Sequence, residues 1–173
     1  ISPNVTGSVT GYTVSALPAG ITINSTSGVI SGTPTAATSA TDYTVIATNQ
    51  YGYTTKVLNI DTGLAPANLV YSATPVYLTR TVAMTPITPT VDNNATSFSG
   101  TSLPAGLSVD AGTGALSGTP TTAATYNASF TATNQFGSTN QIVTFTVGDA
   151  PTALSYASST YHWVLNSGIT NQS

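Results

Sequence analysis

The chain has 173 residues with 15 Gly, 10 Pro and no Cys, enough for two compact units that each bury a modest core. Only 4% of its residues are charged, namely Lys56, Arg80 and five aspartates, and the net charge is −3, whereas ordinary soluble proteins carry about 25% charged residues. Two cations cannot neutralise a phosphate track, which excludes nucleic-acid binding; the lack of cysteine excludes disulfides and thiolate metal sites; and no apolar run approaches the ~20 residues of a membrane-spanning helix.

Solubility falls instead to Thr, Ser and Asn, which bind water without charge and suit half-exposed strands, a surface that fits an extracellular setting. The chain opens at Ile1 without a signal peptide and reads as processed or excerpted.

In chain order, residues 9–15 alternate, with Val9, Gly11, Thr13 and Ser15 on one side and Thr10, Tyr12 and Val14 on the other, and predict a strand. Pro18 and Gly20 break it, Pro by fixing φ near the turn value and Gly by its freedom at positive φ. Ile21-Thr22-Ile23 and Val29-Ile30-Ser31 predict two short strands, separated by the turn Asn24-Ser25-Thr26-Ser27-Gly28 and stopped by Gly32-Thr33-Pro34. Thr41 to Asn49 is the strongest strand signal, with Tyr43, Val45 and Ala47 inward and Thr44, Ile46 and Thr48 outward. Asn49-Gln50-Tyr51-Gly52 reads as a hairpin corner, and Leu58, Ile60 and Thr62 as the inner face of the returning strand.

These phrases are then written again. Leu17-Pro18-Ala19-Gly20-Ile21 and Gly28-Val29-Ile30-Ser31-Gly32-Thr33-Pro34 return as Leu103-Pro104-Ala105-Gly106-Leu107 and Gly114-Ala115-Leu116-Ser117-Gly118-Thr119-Pro120. The offset is 86 residues from Pro18 to Pro104 and 85 from Asn49 to Asn134 and from Pro66 to Pro151. A period this long marks whole domains, not solenoid turns. In the second copy Ala128, Phe130 and Ala132 take the inner positions, with Val143, Phe145 and Val147 opposite, so the inward phase is kept while identities change. Helical periodicity is missing, and about seven short strands per unit predict an all-β chain of two tandem β-sandwiches.

Short linkers, Gly63-Leu64-Ala65-Pro66 and Val147-Gly148-Asp149-Ala150-Pro151, lead into predicted opening strands at Asn68 to Tyr71 and at Ala153 to Tyr156. Proline stiffens both, which predicts a semi-rigid rod. The second unit's leader continues through Val76-Tyr77-Leu78-Thr79 and Val82 to Val91, and Ile1-Ser2-Pro3-Asn4-Val5 is the first unit's counterpart to its end.

The order Leu-Pro-x-Gly-apolar, Thr/Ser-Gly turn, apolar-Ser-Gly-Thr-Pro and Ala-Thr-Asn-x-x-Gly corner resembles the immunoglobulin-like repeats of the He-PIG type, related to cadherin-like modules, in bacterial and archaeal surface proteins. It is present twice and covers nearly all of the chain. The resemblance implies Ig-like sandwiches in extracellular tandem arrays on adhesins, surface proteins or secreted enzymes, usually as spacers. It implies no catalytic residues, no cofactor and no enzyme. Leu17, Pro18, Gly20, Gly32 and Pro34, with Leu103, Pro104, Gly106, Gly118 and Pro120, read as corner and core positions that mark the period.

The expected organisation is residues 1–64 as an Ig-like unit without its opening strands, 65–149 as a complete unit, and 150–173 as the opening strands of a further unit. Two readings follow. The chain is an excerpt of a longer array, or it is a subunit whose residues 152–169, with Tyr156, Tyr161, Trp163 and Leu165 as anchors, complete the first sandwich of the next copy and build an open filament. The expected partners are therefore copies of the chain or adjoining repeats, in a stalk or filament at the cell surface. The alternative function is an adhesin module that binds a surface or carbohydrate ligand.

Other candidate chemistry is thin. His162 is the only imidazole, so neither a zinc site nor a Ser-His-Asp triad can be built around it. Tyr161-His162-Trp163 with Tyr156 could stack on sugars, but aromatic residues in a docking strand favour packing. Calcium would need 6 to 8 oxygen ligands, and only Asp61, Asp149 and the Asp92-Asn93-Asn94 loop lie where they could contribute. Lys56, opposite Gln141 in the repeat, is a poor isopeptide candidate without a glutamate to assist. Asn-x-Ser/Thr sequons at Asn4, Asn24, Asn94, Asn127 and Asn171 are candidate glycan acceptors, at a frequency that chance explains in so Ser/Thr-rich a chain.

Overall fold

The computed structural model describes residues 1–72, 75–155, 160 and 165, and it is all-β. Unit one contains β1 (Gly11–Val14), β2 (Ile21–Ile23), β3 (Ile30–Gly32), β4 (Thr38–Asn49) and β5 (Gly52–Thr62). Unit two contains β6 (Ala67–Val70), β7 (Val76–Thr79), β8 (Thr90–Asp92), β9 (Ser97–Thr101), β10 (Leu107–Val109), β11 (Leu116–Gly118), β12 (Ala124–Asn134) and β13 (Gly137–Gly148). The expected strands within the two units are in place with shifted ends, five in unit one and eight in unit two against about seven expected in each. β4 starts three residues before Thr41 and carries a register shift between Thr38 and Thr41, and the first strand is trimmed to Gly11–Val14.

In unit two a four-stranded sheet runs β7-β13-β12-β9. The long hairpin β12–β13 is antiparallel from Ala124↔Val147 to Asn134↔Gly137, and β7 adds in parallel, with Val76 opposite Phe145 and Thr79 opposite Gly148. The ladders β6-β8 and β10-β11 cover its inner face, joined to the leader by an Ile87↔Leu116 bridge. The core is Leu69, Tyr71, Val76, Leu107, Leu116, Ala128, Phe130, Ala132, Val143 and Phe145. Period-2 alternation along β12 and β13 places four of the five inner positions from Ala128 to Phe145 at no exposure, and the rings of Tyr71 and Phe130 meet at 4.3 Å between centroids.

The repeated motif works through its glycines. Gly106 has φ +92°, and a Cβ there would drive into the Thr119 carbonyl; Gly118, at φ +129°, is set the same way against the Gly106 carbonyl. Gly20 and Gly32 repeat the arrangement. The two backbones therefore approach as only glycine permits, locking β2 to β3 and β10 to β11. Both hairpin corners close as their residues dictate: the Asn49 side chain accepts from the Tyr51 amide and the Asn134 side chain from the Phe136 amide, each at 2.9 Å, while Gly52 and Gly137 take positive φ.

Unit one has the shorter sheet, β1-β4-β5, and its buried apolar residues are Tyr12, Ile30, Tyr43 and Ala47. Among the described residues, no strand stands beside β5 as β7 stands beside β13, and none pairs with residues 4–6 as β6 pairs with β8.

Candidate functional site

That difference between two copies of one motif defines the site. In unit two the segment Ala67–Thr79 fills the sandwich. Leu69 is 4% exposed, the Tyr71 hydroxyl donates to the Gly114 carbonyl at 2.6 Å, and the Tyr71 amide donates to Gln141 Oε1 at 2.6 Å. Burial raises the Tyr71 phenol from 10.0 to about 12, because the phenolate would lose its water. The leader continues across the same face, with Arg80 N–H donating to the Gly148 carbonyl, Thr81 N–H to Pro120 and Met84 N–H to Gly118.

By the repeat offsets, these groups correspond in unit one to Gly28 for Gly114, Lys56 for Gln141, Gly63 for Gly148, Pro34 for Pro120 and Gly32 for Gly118. Where the Tyr71 segment sits in unit two, unit one has a cleft of about 640 Å³ lined by Ile1, Pro3, Val5, Ile30, Val45 and Leu58, with Gly28 and Lys56 beside them. Val45 and Leu58, whose counterparts Phe130 and Val143 are sealed, are only half-buried. Pro34 is exposed while Pro120 is fully covered. Ile1 nevertheless bonds both ways with Ile30, as Ile87 does with Leu116, so the cleft wall is built to the unit-two pattern.

The matching sequence lies after unit two. Ala150-Pro151-Thr152-Ala153-Leu154-Ser155-Tyr156 repeats Ala65-Pro66-Ala67-Asn68-Leu69-Val70-Tyr71. Ala153 holds φ +58° and its counterpart Asn68 holds φ +51°, so both segments take the same left-handed kink, although Ala lacks the side-chain bonding that eases it for Asn. Leu154 is 86% exposed, against 4% for Leu69. Residues 153–155 are not in a strand, which departs from the expected opening strand there; the pairing partner that makes β6 a strand is β8 of the same unit. Of the expected anchors, Tyr156, Tyr161 and Trp163 lie outside the described residues, as do His162 and Asn171, and Leu165 is exposed. Leu154 was not among those anchors; its signal was the Leu-x-Tyr spacing shared with Leu69 and Tyr71.

The motif residues fall at corners and core edges. Pro18, Pro104 and Pro120 are buried, and Leu17 and Leu103 half-buried. The acids proposed for calcium are spent on protein groups: Asp61 accepts from Gln135, Asp92 from Asn68, and Asp149 pairs with Arg80 at 2.6 Å. Among the described residues no three His, Cys, Asp or Glu side chains cluster. Asn4, Asn24, Asn94 and Asn127 are exposed, Asn24 with its side-chain oxygen accepting the Thr26 and Ser27 amides and Asn127 accepting from Thr144.

The He_PIG family, described as "Putative Ig domain", matches residues 1–62 and again 65–148, and the chain belongs to it. No curated protein matches the chain significantly. Similar solved structures include Drosophila OTK, extracellular domains 3–5 (13% identity, 79% of this chain and 50% of that one, TM-score 0.57). Others are a "putative alpha-galactosidase" of Bacteroides fragilis NCTC 9343 (21% identity, 49% and 18%, TM-score 0.43) and domains 4 and 5 of the S-layer protein SbsC (13%, 83% and 74%, TM-score 0.38). The chain thus spans half of the OTK chain and less than a fifth of the Bacteroides one, and the OTK likeness shows the Ig-like fold alone.

Proposed function

We propose that the chain is a non-catalytic structural subunit of an extracellular surface assembly, joined head to tail by strand complementation. Residues 152–165 of one copy enter the unit-one cleft of the next, with Leu154 in the place of Leu69 and Tyr156 donating to the Gly28 carbonyl as Tyr71 does to Gly114. One observation carries this reading: a cleft lined by Val45 and Leu58 opens in unit one where unit two holds Leu69 and Tyr71, and the chain repeats that filling sequence past unit two. Unit two is filled by its own leader, and the repeated leader matches the pattern of the unit-one cleft. Complementation gains backbone hydrogen bonds along β5 and removes Leu154 from water, worth roughly 1.5–3 kcal/mol for that side chain alone. Each joint uses different faces of the two partners, and such a contact continues as an open filament where its rotation does not close a ring.

The surface setting is supported by the near absence of charge and by the family's tandem-repeat pattern. The alternative, an adhesin binding a carbohydrate or surface ligand, has some support from Tyr51 and Tyr53, exposed side by side near the unit-one corner where unit two has Phe136 and Ser138. Sedimentation of the intact chain over a range of concentrations, with electron microscopy of the heavy fraction, tests the main reading. Linear polymers are expected, and a chain that stays monomeric throughout contradicts it.

A further inference from the structure

The two units meet in a joint that the sequence prepares a second time. The unit-two corner Asn134-Gln135-Phe136-Gly137 closes on the linker: Asn134 Nδ2 donates to the Leu64 carbonyl at 2.9 Å and to the Asn93 carbonyl at 3.0 Å, and Gln135 Nε2 to Asp61 Oδ2 at 2.6 Å. The Phe136 ring lies so close over Gly63 that a Cβ there would clash with its carbons, and a Cβ on Gly137 would stand 2.9 Å from that of Ala65. Asn93 Nδ2 fixes the Ala65 carbonyl at 2.9 Å.

Most of this joint has a counterpart at the far ends of the two units; the exception is Asn93, whose counterpart Gly7 leaves the Ala150 carbonyl without that donor. Asn49-Gln50-Tyr51-Gly52 repeats the corner, and Gly148-Asp149-Ala150 repeats Gly63-Leu64-Ala65. Asn49 Nδ2 already donates to the Ser8 carbonyl at 2.8 Å, as Asn134 does at 3.5 Å to the carbonyl of its counterpart Asn94, so the corner is set. Tyr51 is 87% exposed against 39% for Phe136, and among the described residues nothing lies within 4 Å of a Cβ on Gly148 or Gly52.

We propose that these two faces bind each other between copies: the Tyr51 ring of one copy covers Gly148 of its neighbour, Gly52 packs on Ala150, and Asn49 donates to the Asp149 carbonyl. This joint rests on the head-to-tail reading and sets the angle between subunits, because the contacts are those that fix unit one against unit two. Gln50 changes partner, since Thr146 stands where Asp61 would be. Asp149 keeps its carboxylate paired with Arg80 at 2.6 Å, so the register of this joint falls to the amide and aromatic contacts.

The test uses the intact chain with Gly148→Val, Tyr51→Ala and both together. Gly148→Val is expected to weaken association tenfold or more while leaving the thermal unfolding of the monomer unchanged, since the added carbons meet open space in the single copy. Tyr51→Ala is expected to weaken association several-fold, and to relieve most of the Gly148→Val defect in the double variant, because the ring that collides is gone. In images of the polymer, the turn from unit two to the next copy's unit one should equal the turn between the units of one copy. Polymers whose formation ignores both substitutions overturn this joint and leave strand complementation standing. A wild-type chain that does not polymerise overturns both.

Discussion

The Tyr71 hydroxyl donates to the carbonyl of Gly114, 43 residues on, at 2.6 Å and out of contact with water. The bond ties the opening segment of unit two to the turn of the repeated motif. In unit one the equivalent carbonyl belongs to Gly28, which lines the open cleft.

Removing that hydroxyl leaves the Gly114 carbonyl buried without its donor. Tyr71→Phe is therefore expected to cost about 1–3 kcal/mol, read as the stability of unit two in urea. A loss below about 0.3 kcal/mol would mean that the bond holds nothing in place.

The same phenol makes unit two sensitive to alkali. Its folded value is raised from 10.0 to about 12, so above pH 10 the unfolded state releases a proton that the folded state keeps. Stability is thus full below pH 10 and falls as pH climbs toward 12. In the Tyr71→Phe variant the slope between pH 10 and 12 should flatten; an unchanged slope would assign the effect to other tyrosines.

Asp110 works in the opposite direction. Bonds from the Thr113 hydroxyl, the Thr113 amide and the Gly112 amide lower its carboxyl from 3.8, so its contribution is present above that value and is lost as pH falls through the folded value. Asn24 makes the same turn in unit one, accepting the Thr26 and Ser27 amides. Asp110→Asn is expected to keep the fold and remove this part of the acid sensitivity, checked by melting temperature from pH 2 to 6.

The motif glycines separate two costs. Gly7 and Gly106 share positive φ, +96° and +92°, but a Cβ meets nothing near Gly7 and strikes the Thr119 carbonyl at Gly106. Gly7→Ala should cost about 1 kcal/mol of backbone strain, and Gly106→Ala at least about 2 kcal/mol more, because two chains must also separate. Equal losses in denaturant titrations would show that the close approach is dispensable.

Much of this fold is legible in the sequence because it is local. The inward phase of Tyr43, Val45 and Ala47 follows from alternation, and the corners at Asn49 and Asn134 follow from side chains that bond their own turn. The site is legible only in part. The 85-residue offset from Pro66 to Pro151 shows that the leader sequence recurs, but not which of its side chains a sandwich would bury. Aromatic residues draw attention in 156–163, whereas Leu154 stands out only because its counterpart Leu69 is buried, and burial is a property of the packed unit. The joint between units is less legible still. Nothing near Gly63 in sequence says that Phe136 will lie over it, since the approach depends on how two sandwiches turn against each other.

An engineered disulfide tests most directly whether one copy's leader fills another's first unit. Val70 and Thr90 stand opposite each other in the β6-β8 ladder, a spacing of roughly 4.5–5.5 Å between Cα atoms that a disulfide spans. Their counterparts are Ser155 and Asn4, and the chain has no cysteine to interfere. Asn4→Cys with Ser155→Cys in the intact chain should, on mild oxidation, give a ladder of covalent dimers, trimers and longer species on a non-reducing gel, while each single variant stops at the dimer. A product that remains one chain long, with its two thiols free or joined to each other, would contradict the account.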